Sequence, residues 1–468
     1  MNRSSGPVTE ILWFRRDLRL TDNPALRAAL AAPGPAILVY IDAPQDEGDW
    51  PQGAASRWWL HHSLQALARE IGRLGGELFY LRGSAPLCLA RLVRQYGARR
   101  VHAARRYEPA SRAQVAAVAE AVAALGAALE LHAGNYQHAP ETIVKDDGTP
   151  YRVYTPWWRR WRSAGLSGSV QPPPARIPPP PAPPEHAAEL SDLKLLPRIP
   201  WDREFPAHHR PGEAGALDRL ETFVAKRLAG YARNRDQPAV DGTSGLSAHL
   251  HFGEITPRQA VAALLETAGP ARANDPLEAA EPWLKELAWR EFSCQVLFHF
   301  PDLPHRPIDR RFEAFPWQEA TPKLLEAWQQ GRTGIPLVDA GMRQLWRSGT
   351  LHNRVRMVVA SFLTKNLLLP WQLGQRWFWD TLVDADLASN AQNWQWVAGC
   401  GLDAAPYYRI FNPLRQAQRF DPDGEYIRRW VPELKDGDSN YPEPMVDLAA
   451  TRERALAQYQ AIRTAPVA

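Results

Sequence analysis

In the stretch SNAQNWQWVAGCG, residues 389–401, Trp394 and Trp396 stand two positions apart behind a run of side-chain amides. No histidine, serine trio or carboxylate pair lies beside them. Acid–base and nucleophilic catalysis both need groups that exchange protons, so tryptophan with neutral amide asks for a different chemistry. Tryptophan is abundant throughout: 19 of 468 residues, most of them after residue 280.

A second cluster is DGTSGLS at 241–247, where Thr243, Ser244 and Ser247 stand among Gly242 and Gly245 ahead of a helical stretch. Backbone amides and hydroxyls in such a place bind phosphate, and the same residues also make an ordinary capped turn. The cluster misses the GxSxG nucleophile elbow because Leu246 occupies the last glycine position and no strand precedes it. In PWLKELAWREFSCQVLF, helical spacing directs Glu286 and Trp289 into the same space, with Arg290 following; a surface carboxylate beside a core indole would share that spacing. In LHNRVRMVVASFL, Asn353 and Met357 share one helix face and Arg354 and Arg356 point elsewhere. Arginines in an apolar helix need partners, and Asp384 and Asp386 of VDADLASN are candidates.

Two kinds of element must position these groups. From residue 8 to 135 apolar runs (EILWF, PAILVYID, ELFYLRG, RVHAARR, LELHAG) alternate with helical stretches, the βαβ rhythm of a Rossmann-like parallel sheet. One helix, ASRWWLHHSLQALAREIGRLGG, repeats leucine and isoleucine at three and four and stops at Gly75-Gly76. No GxGxxG or GxxxxGK[ST] follows a strand, so this domain has no ordinary nucleotide fingerprint. Residues 136–205 read as an interdomain linker around the proline run QPPPARIPPPPAPP at 171–184, which cannot be helix or inner strand. From 206 to 468 helical periodicity takes over, giving an α/β domain followed by an all-helical one.

Composition bounds the rest. A net charge of +4 neither requires nor excludes a nucleic-acid partner. Cys88, Cys294 and Cys400 lie far apart with no CxxC, which argues against disulfides and zinc, and no metal is expected. No apolar run approaches the roughly 18 residues of a membrane span and the N-terminus lacks a signal-peptide pattern, so a soluble cytoplasmic protein is expected; a monomer is expected as well.

Four blocks then occur in one order: WFRRDLRLTDNPAL; DGTSGLS; WREF; and GIPLVDAGMRQL, LHNRVRM, DADLASNAQNWQW, YYRIFNP. Together they resemble the photolyase and cryptochrome family over nearly the whole chain. The resemblance implies an antenna-binding α/β domain and a helical FAD domain. FAD phosphates would be held by Thr243, Ser244, Gly245, Leu246 and Ser247, and the pocket completed by Tyr231, Trp283, Arg290, Arg356, Asp384 and Asp386, with Asn390 facing flavin N5. Trp394, Trp371 and Trp317 would form an electron-hopping chain, while Trp396 serves the substrate pocket.

Glu286, Trp289, Asn353, Met357 and Trp396 are similar to the substrate residues of cyclobutane pyrimidine dimer photolyases, carbon–carbon lyases that act on UV-damaged DNA in light. Arg235, Arg354 and Arg409 would meet DNA phosphates. A blue-light photoreceptor of cryptochrome type is the alternative. For the antenna the expectation is 5,10-methenyltetrahydrofolate, with 8-hydroxy-5-deazaflavin or FMN as alternatives; Glu108 matches a folate-holding carboxylate of some relatives.

Overall fold

The computed structural model describes residues 9–180, 182–267, 276–404, 408–434 and 441–464. Its first part is a five-stranded all-parallel sheet in the order β3-β2-β1-β4-β5. The strands are β1 (Glu10–Phe14), β2 (Ala36–Asp42), β3 (Leu78–Arg82), β4 (Arg100–Ala104) and β5 (Ala128–His132), one for each of the five apolar runs. Every residue of β1 is buried, as a central strand covered on both faces requires. Helices α1 (Pro24–Ala31), α2 (Ala54–Arg73), α3 (Ala85–Tyr96) and α4 (Pro109–Ala123) make the crossovers. Asn23 starts α1 by accepting from the Leu26 amide at 3.0 Å, with proline at the first helical position. Just past the end of α2, Gly75 takes up φ +92°.

The proline segment is extended but not free. Ile177 is fully buried, donates its N–H to the Leu74 carbonyl at 2.9 Å and lies on Gly76, where any Cβ would fall 2.4 Å from its Cγ2. Residues 136–205 also differ from a plain linker: Tyr154–Ser163 form α5, and Trp157, Trp158 and Trp161 enter the core of the helical part. Aromatics at 154, 157, 158 and 161 follow helical spacing, a signal that the neighbouring prolines masked.

The helical part contributes α6 (Glu213–Lys226), α7 (Ser247–Phe252), α8 (Glu281–His299), α9 (Asn353–Ser361), α10 (Trp371–Thr381) and α11 (Leu387–Ala398) to the site. Buried polar contacts fix it to the sheet domain: Trp59 Nε1 donates to Glu254 Oε1 at 3.0 Å and Arg19 to the Gly253 carbonyl at 2.8 Å. Among the described residues no helix is long and apolar enough to cross a membrane.

Candidate active site

Helix α11 answers the question posed by its own sequence. Residues 394 and 396 are about 200° apart around a helix, so the two indoles leave opposite faces. Trp394 is buried, edge-on to Phe378 (centroids 5.0 Å) and Trp328 (6.3 Å). On α10, Gly374 presses on it so closely that a Cβ would fall 2.0 Å from the Trp394 Cη2. One turn before Trp394, buried Asn390 donates its amide to the Gln375 carbonyl at 2.9 Å. Trp371 is buried on α10, three residues before Gly374. Trp317 packs on Phe315 with centroids 4.4 Å apart. Among the described residues no ring contact joins Trp394 to Trp371 or Trp371 to Trp317, so the three indoles are separate stations and not a stack.

At the start of α11, Asp386 caps the helix by accepting from the Ser389 amide at 2.9 Å. Two residues earlier, Asp384 receives both Arg356 contacts, Nη2 lying 3.0 and 2.9 Å from its two oxygens. Burial works against charge on Asp384, but Arg356 and the Ser247 hydroxyl outweigh it and hold the carboxyl below its ordinary value. Asp386 follows the same pattern: burial is overcome by His251, whose Nδ1 is 3.4 Å away, and by Arg290. Burial lowers His251 to about 4, against the pull of the Asp386 carboxylate beside it. Arg290 is anchored by the Asn135 carbonyl at 2.7 Å and the Leu250 carbonyl at 3.1 Å and lies over the Tyr136 ring.

The 243–247 loop leads into α7. Gly245 has φ +64°, and a Cβ there would fall 2.5 Å from Arg219 Nη1, so a guanidinium unremarked in the sequence lies on the loop. The Ser247 residue is exposed, Thr243 and Ser244 are half-buried, and Leu246 is buried in the core. Tyr231 and Trp283 both pack on Phe223, at 5.6 and 4.9 Å.

These features fit a large polar cofactor with phosphates. The Thr243 and Ser244 hydroxyls, a glycine cradle and Arg219 suit the phosphates. Inside, fully buried Gln375 leaves both side-chain amide atoms without a protein partner, and His251 Nε2 is equally unpartnered. Buried polar atoms normally find partners, so a polar ligand beside them is the physical expectation.

Glu286 is ion-paired with Arg235 at 2.6 Å, and Arg235 lies over the Tyr231 ring. Trp289 is stacked on Tyr154 with centroids 3.6 Å apart and planes at 7°. Trp396 donates Nε1–H to the Asp403 carbonyl at 3.1 Å, and the Tyr154 backbone lies near enough to the Asp403 carboxylate to favour its charged form, against the burial that raises it. Asp403 and Tyr154 thereby join the two indoles into one rim. Tyr154 escaped the sequence reading because it fell inside the assigned linker. Asn353 is exposed, and the sulfur of half-buried Met357 is 3.9 Å from Arg354 Nη1. Arg354 is paired with Asp236 at 2.9 Å, and Arg409 lies 5.1 Å over Trp396, so each arginine expected to meet phosphate already has a protein neighbour.

The sheet domain holds a cavity of about 1000 Å³ beyond the carboxyl ends of β1, β2 and β3, the usual place for a ligand in such a sheet. Its lining includes Arg16, Arg57, Arg82, Arg106, Lys194 and Arg198. Glu108 is not free to hold a pterin: Oε1 takes Arg16 at 2.9 Å and Arg106 at 3.3 Å, and Oε2 takes the Tyr107 amide. Burial opposes its charge, but Arg106 and Arg16 bring it down to about 2.

Comparison with known proteins agrees with both halves. Residues 10–183 match the family model for DNA photolyase and residues 283–461 that for the FAD binding domain of DNA photolyase. A deoxyribodipyrimidine photo-lyase of Agrobacterium fabrum is 44% identical, covering 99% of each chain. Cryptochrome-2 of Arabidopsis thaliana is 34% identical over 95% of this chain and 77% of its own length. A crystal structure of a class III photolyase from Agrobacterium tumefaciens superposes with a TM-score of 0.92 at 42% identity, covering 99% of this chain and all of that one. With both domains matched and relatives aligned from end to end, the chain belongs to the photolyase and cryptochrome family of FAD-binding proteins.

Proposed function

We propose that this protein is a light-driven repair enzyme for cyclobutane pyrimidine dimers in DNA. The observation that carries the reading is the rim formed by Trp289, Tyr154, Asp403 and Trp396, with the Glu286–Arg235 pair beside Trp289. It offers two flat apolar surfaces to a splayed dimer and a carboxylate for its polar edge. An aromatic platform contributes about 1–3 kcal/mol per stacked base, and lesions in a duplex reach a recessed site by flipping out, a step for which photolyases are a standard example.

Bound reduced FAD supplies, on excitation, one electron that the dimer accepts and returns as its two cyclobutane C–C bonds break, so no net redox change follows. The chain does the rest. The 243–247 loop with Arg219 holds the phosphates, and Tyr231, Trp283, Arg290, Arg356, Asp384 and Asp386 shape the pocket. Asn390, fixed by Gln375, presents an amide that donates or accepts without changing charge. Trp394, Trp371 and Trp317 relay reducing electrons inward from the surface. Glu286 orients the dimer, Asn353 and Met357 line its approach, and Arg235, Arg354 and Arg409 meet the phosphates.

The cationic cavity over the sheet suits an antenna chromophore bearing carboxylates or phosphates. We assign it to 5,10-methenyltetrahydrofolate, its glutamate carboxylates against Arg57, Arg82 and Arg198; the spectrum of the extracted chromophore tests this, and FMN or a deazaflavin would overturn it.

The functional reading is tested by Glu286→Ala. Repair per absorbed photon is expected to fall while FAD content stays unchanged; loss of FAD would instead make Glu286 part of the cofactor pocket.

A further inference from the structure

At the open edge of the sheet, among residues that do not line the cationic cavity, lies a second polar cluster that the proposed repair chemistry does not use. His102 on β4 stands in register with Glu130 on β5, and Glu130 and His132 alternate onto the same face of that edge strand. His102 Nδ1 is 3.0 Å from His132 Nε2 and 3.5 Å from Glu130 Oε2, and one ligand atom from each of the three residues lies within 4.8 Å of the others.

The arrangement behind His102 decides what these atoms want. His102 Nε2 faces Glu10 Oε2 at 3.0 Å, and Glu10 is itself held by Arg100, Nε and Nη2 contacting its carboxylate at 2.8–3.1 Å. His102 is 1% exposed and Glu10 0%. A carboxylate only accepts, so the Nε2 proton belongs to the Glu10 contact and Nδ1 is left with a lone pair. That lone pair faces the Glu130 carboxylate, a second acceptor, while the third ligand atom converges from His132. His132 Nε2 as a donor satisfies one of these acceptors, and Arg100 Nη1 lies 3.8 Å from Glu130 Oε1; in its other tautomer His132 Nε2 adds a further lone pair, and the three atoms together make a cation's donor set. The carboxylate behind a ligating imidazole is also the usual support of a metal-bound histidine.

We propose that His102 Nδ1, His132 Nε2 and Glu130 Oε2 form a binding site for a zinc-class divalent cation that fastens edge strand β5 to β4. Two imidazoles and one carboxylate are a zinc donor set, with solvent as the fourth ligand. Tetrahedral bonds of about 2.0–2.1 Å place ligand atoms roughly 3.3 Å apart; the two separations from His102, 3.0 and 3.5 Å, lie close to that, and the third is within 4.8 Å. Entry is from solvent, since the Glu130 side chain is 43% exposed. The cysteine spacing that argued against zinc is silent on such a site.

The test uses the full-length flavin-loaded protein, stripped of metal with a chelator and titrated calorimetrically with zinc sulfate. One zinc per chain is expected, with X-ray absorption showing two imidazoles and oxygen around it. His132→Gln and Glu130→Gln, both half-exposed on an edge strand, should each weaken binding at least tenfold. Glu10→Gln should weaken it 10- to 100-fold, as removal of an outer-shell partner does, with flavin content and circular dichroism unchanged in all three. No zinc bound by the parent protein, or zinc retained at unchanged affinity in His132→Gln and Glu130→Gln, overturns the proposal.

Discussion

Arg356 and Asp384 are paired between α9 and the segment that leads into α11, one guanidinium nitrogen reaching both carboxylate oxygens at 3.0 and 2.9 Å. The Asp384 side chain is 5% exposed and that of Arg356 28%. Removing one partner of a mostly buried pair strands the other charge, at a cost on the order of 3 kcal/mol. Asp384→Asn should therefore lower the denaturation midpoint and release FAD on gel filtration. Full FAD occupancy with unchanged stability would show that the pair does not face the cofactor.

A Cβ on Gly374 would fall 2.0 Å from Trp394 Cη2, so Gly374→Ala must push that indole away. Overpacking of this kind costs about 1–3 kcal/mol. The variant should fold less stably and photoreduce oxidised FAD more slowly. An unchanged photoreduction rate would place Trp394 outside the electron relay.

On the proposed reading, the two indoles on opposite faces of α11 do different work. Trp394→Phe should nearly abolish photoreduction, because phenylalanine fills a flat space but is far harder to oxidise, while repair by chemically reduced protein survives. Trp396→Phe should leave photoreduction intact and reduce dimer affinity by about 1–3 kcal/mol. Impairment of the same step by both would contradict the division.

Much of this was legible in sequence, for physical reasons. Strands β1, β2 and β3 are near-continuous apolar runs because the inner part of a parallel sheet is buried on both faces, while edge strand β5 is exposed or half-buried throughout, and the Arg356–Asp384 pair was foreseen because an arginine in an apolar helix needs a partner. Tyr154 was missed because its helix sits beside prolines that dominate any local reading. Arg219 reaches Gly245 through tertiary packing, and the Asp403–Tyr154 contact spans two distant segments; neither leaves a periodic trace.

Burial pushes the Glu291 carboxyl up to about 7 from an ordinary 4.5, against the Gln137 amide and the Trp161 indole N–H that donate to it. The folded protein thus holds this proton more tightly than the unfolded chain. Stability from this group is complete below 4.5 and declines as pH rises toward 7. Glu291→Gln should flatten that decline in the difference between parent and variant unfolding curves. A difference independent of pH across this window would mean that Glu291 is ionised throughout.

Arg354 is ion-paired with Asp236 at 2.9 Å. Asp236→Asn frees one cation, so DNA affinity at low salt should rise and the slope of log affinity against log salt should steepen by about 0.9. An unchanged slope would remove Arg354 from the DNA-contacting surface.

The central claim is repair of the dimer itself. Protein with chemically reduced flavin, mixed anaerobically with an oligonucleotide carrying one thymine cyclobutane dimer, should restore the two thymines under blue light and leave the lesion intact in the dark, as read by chromatography of the oligonucleotide. Tight binding to the lesion with no light-dependent restoration would contradict the account and make the protein a photoreceptor.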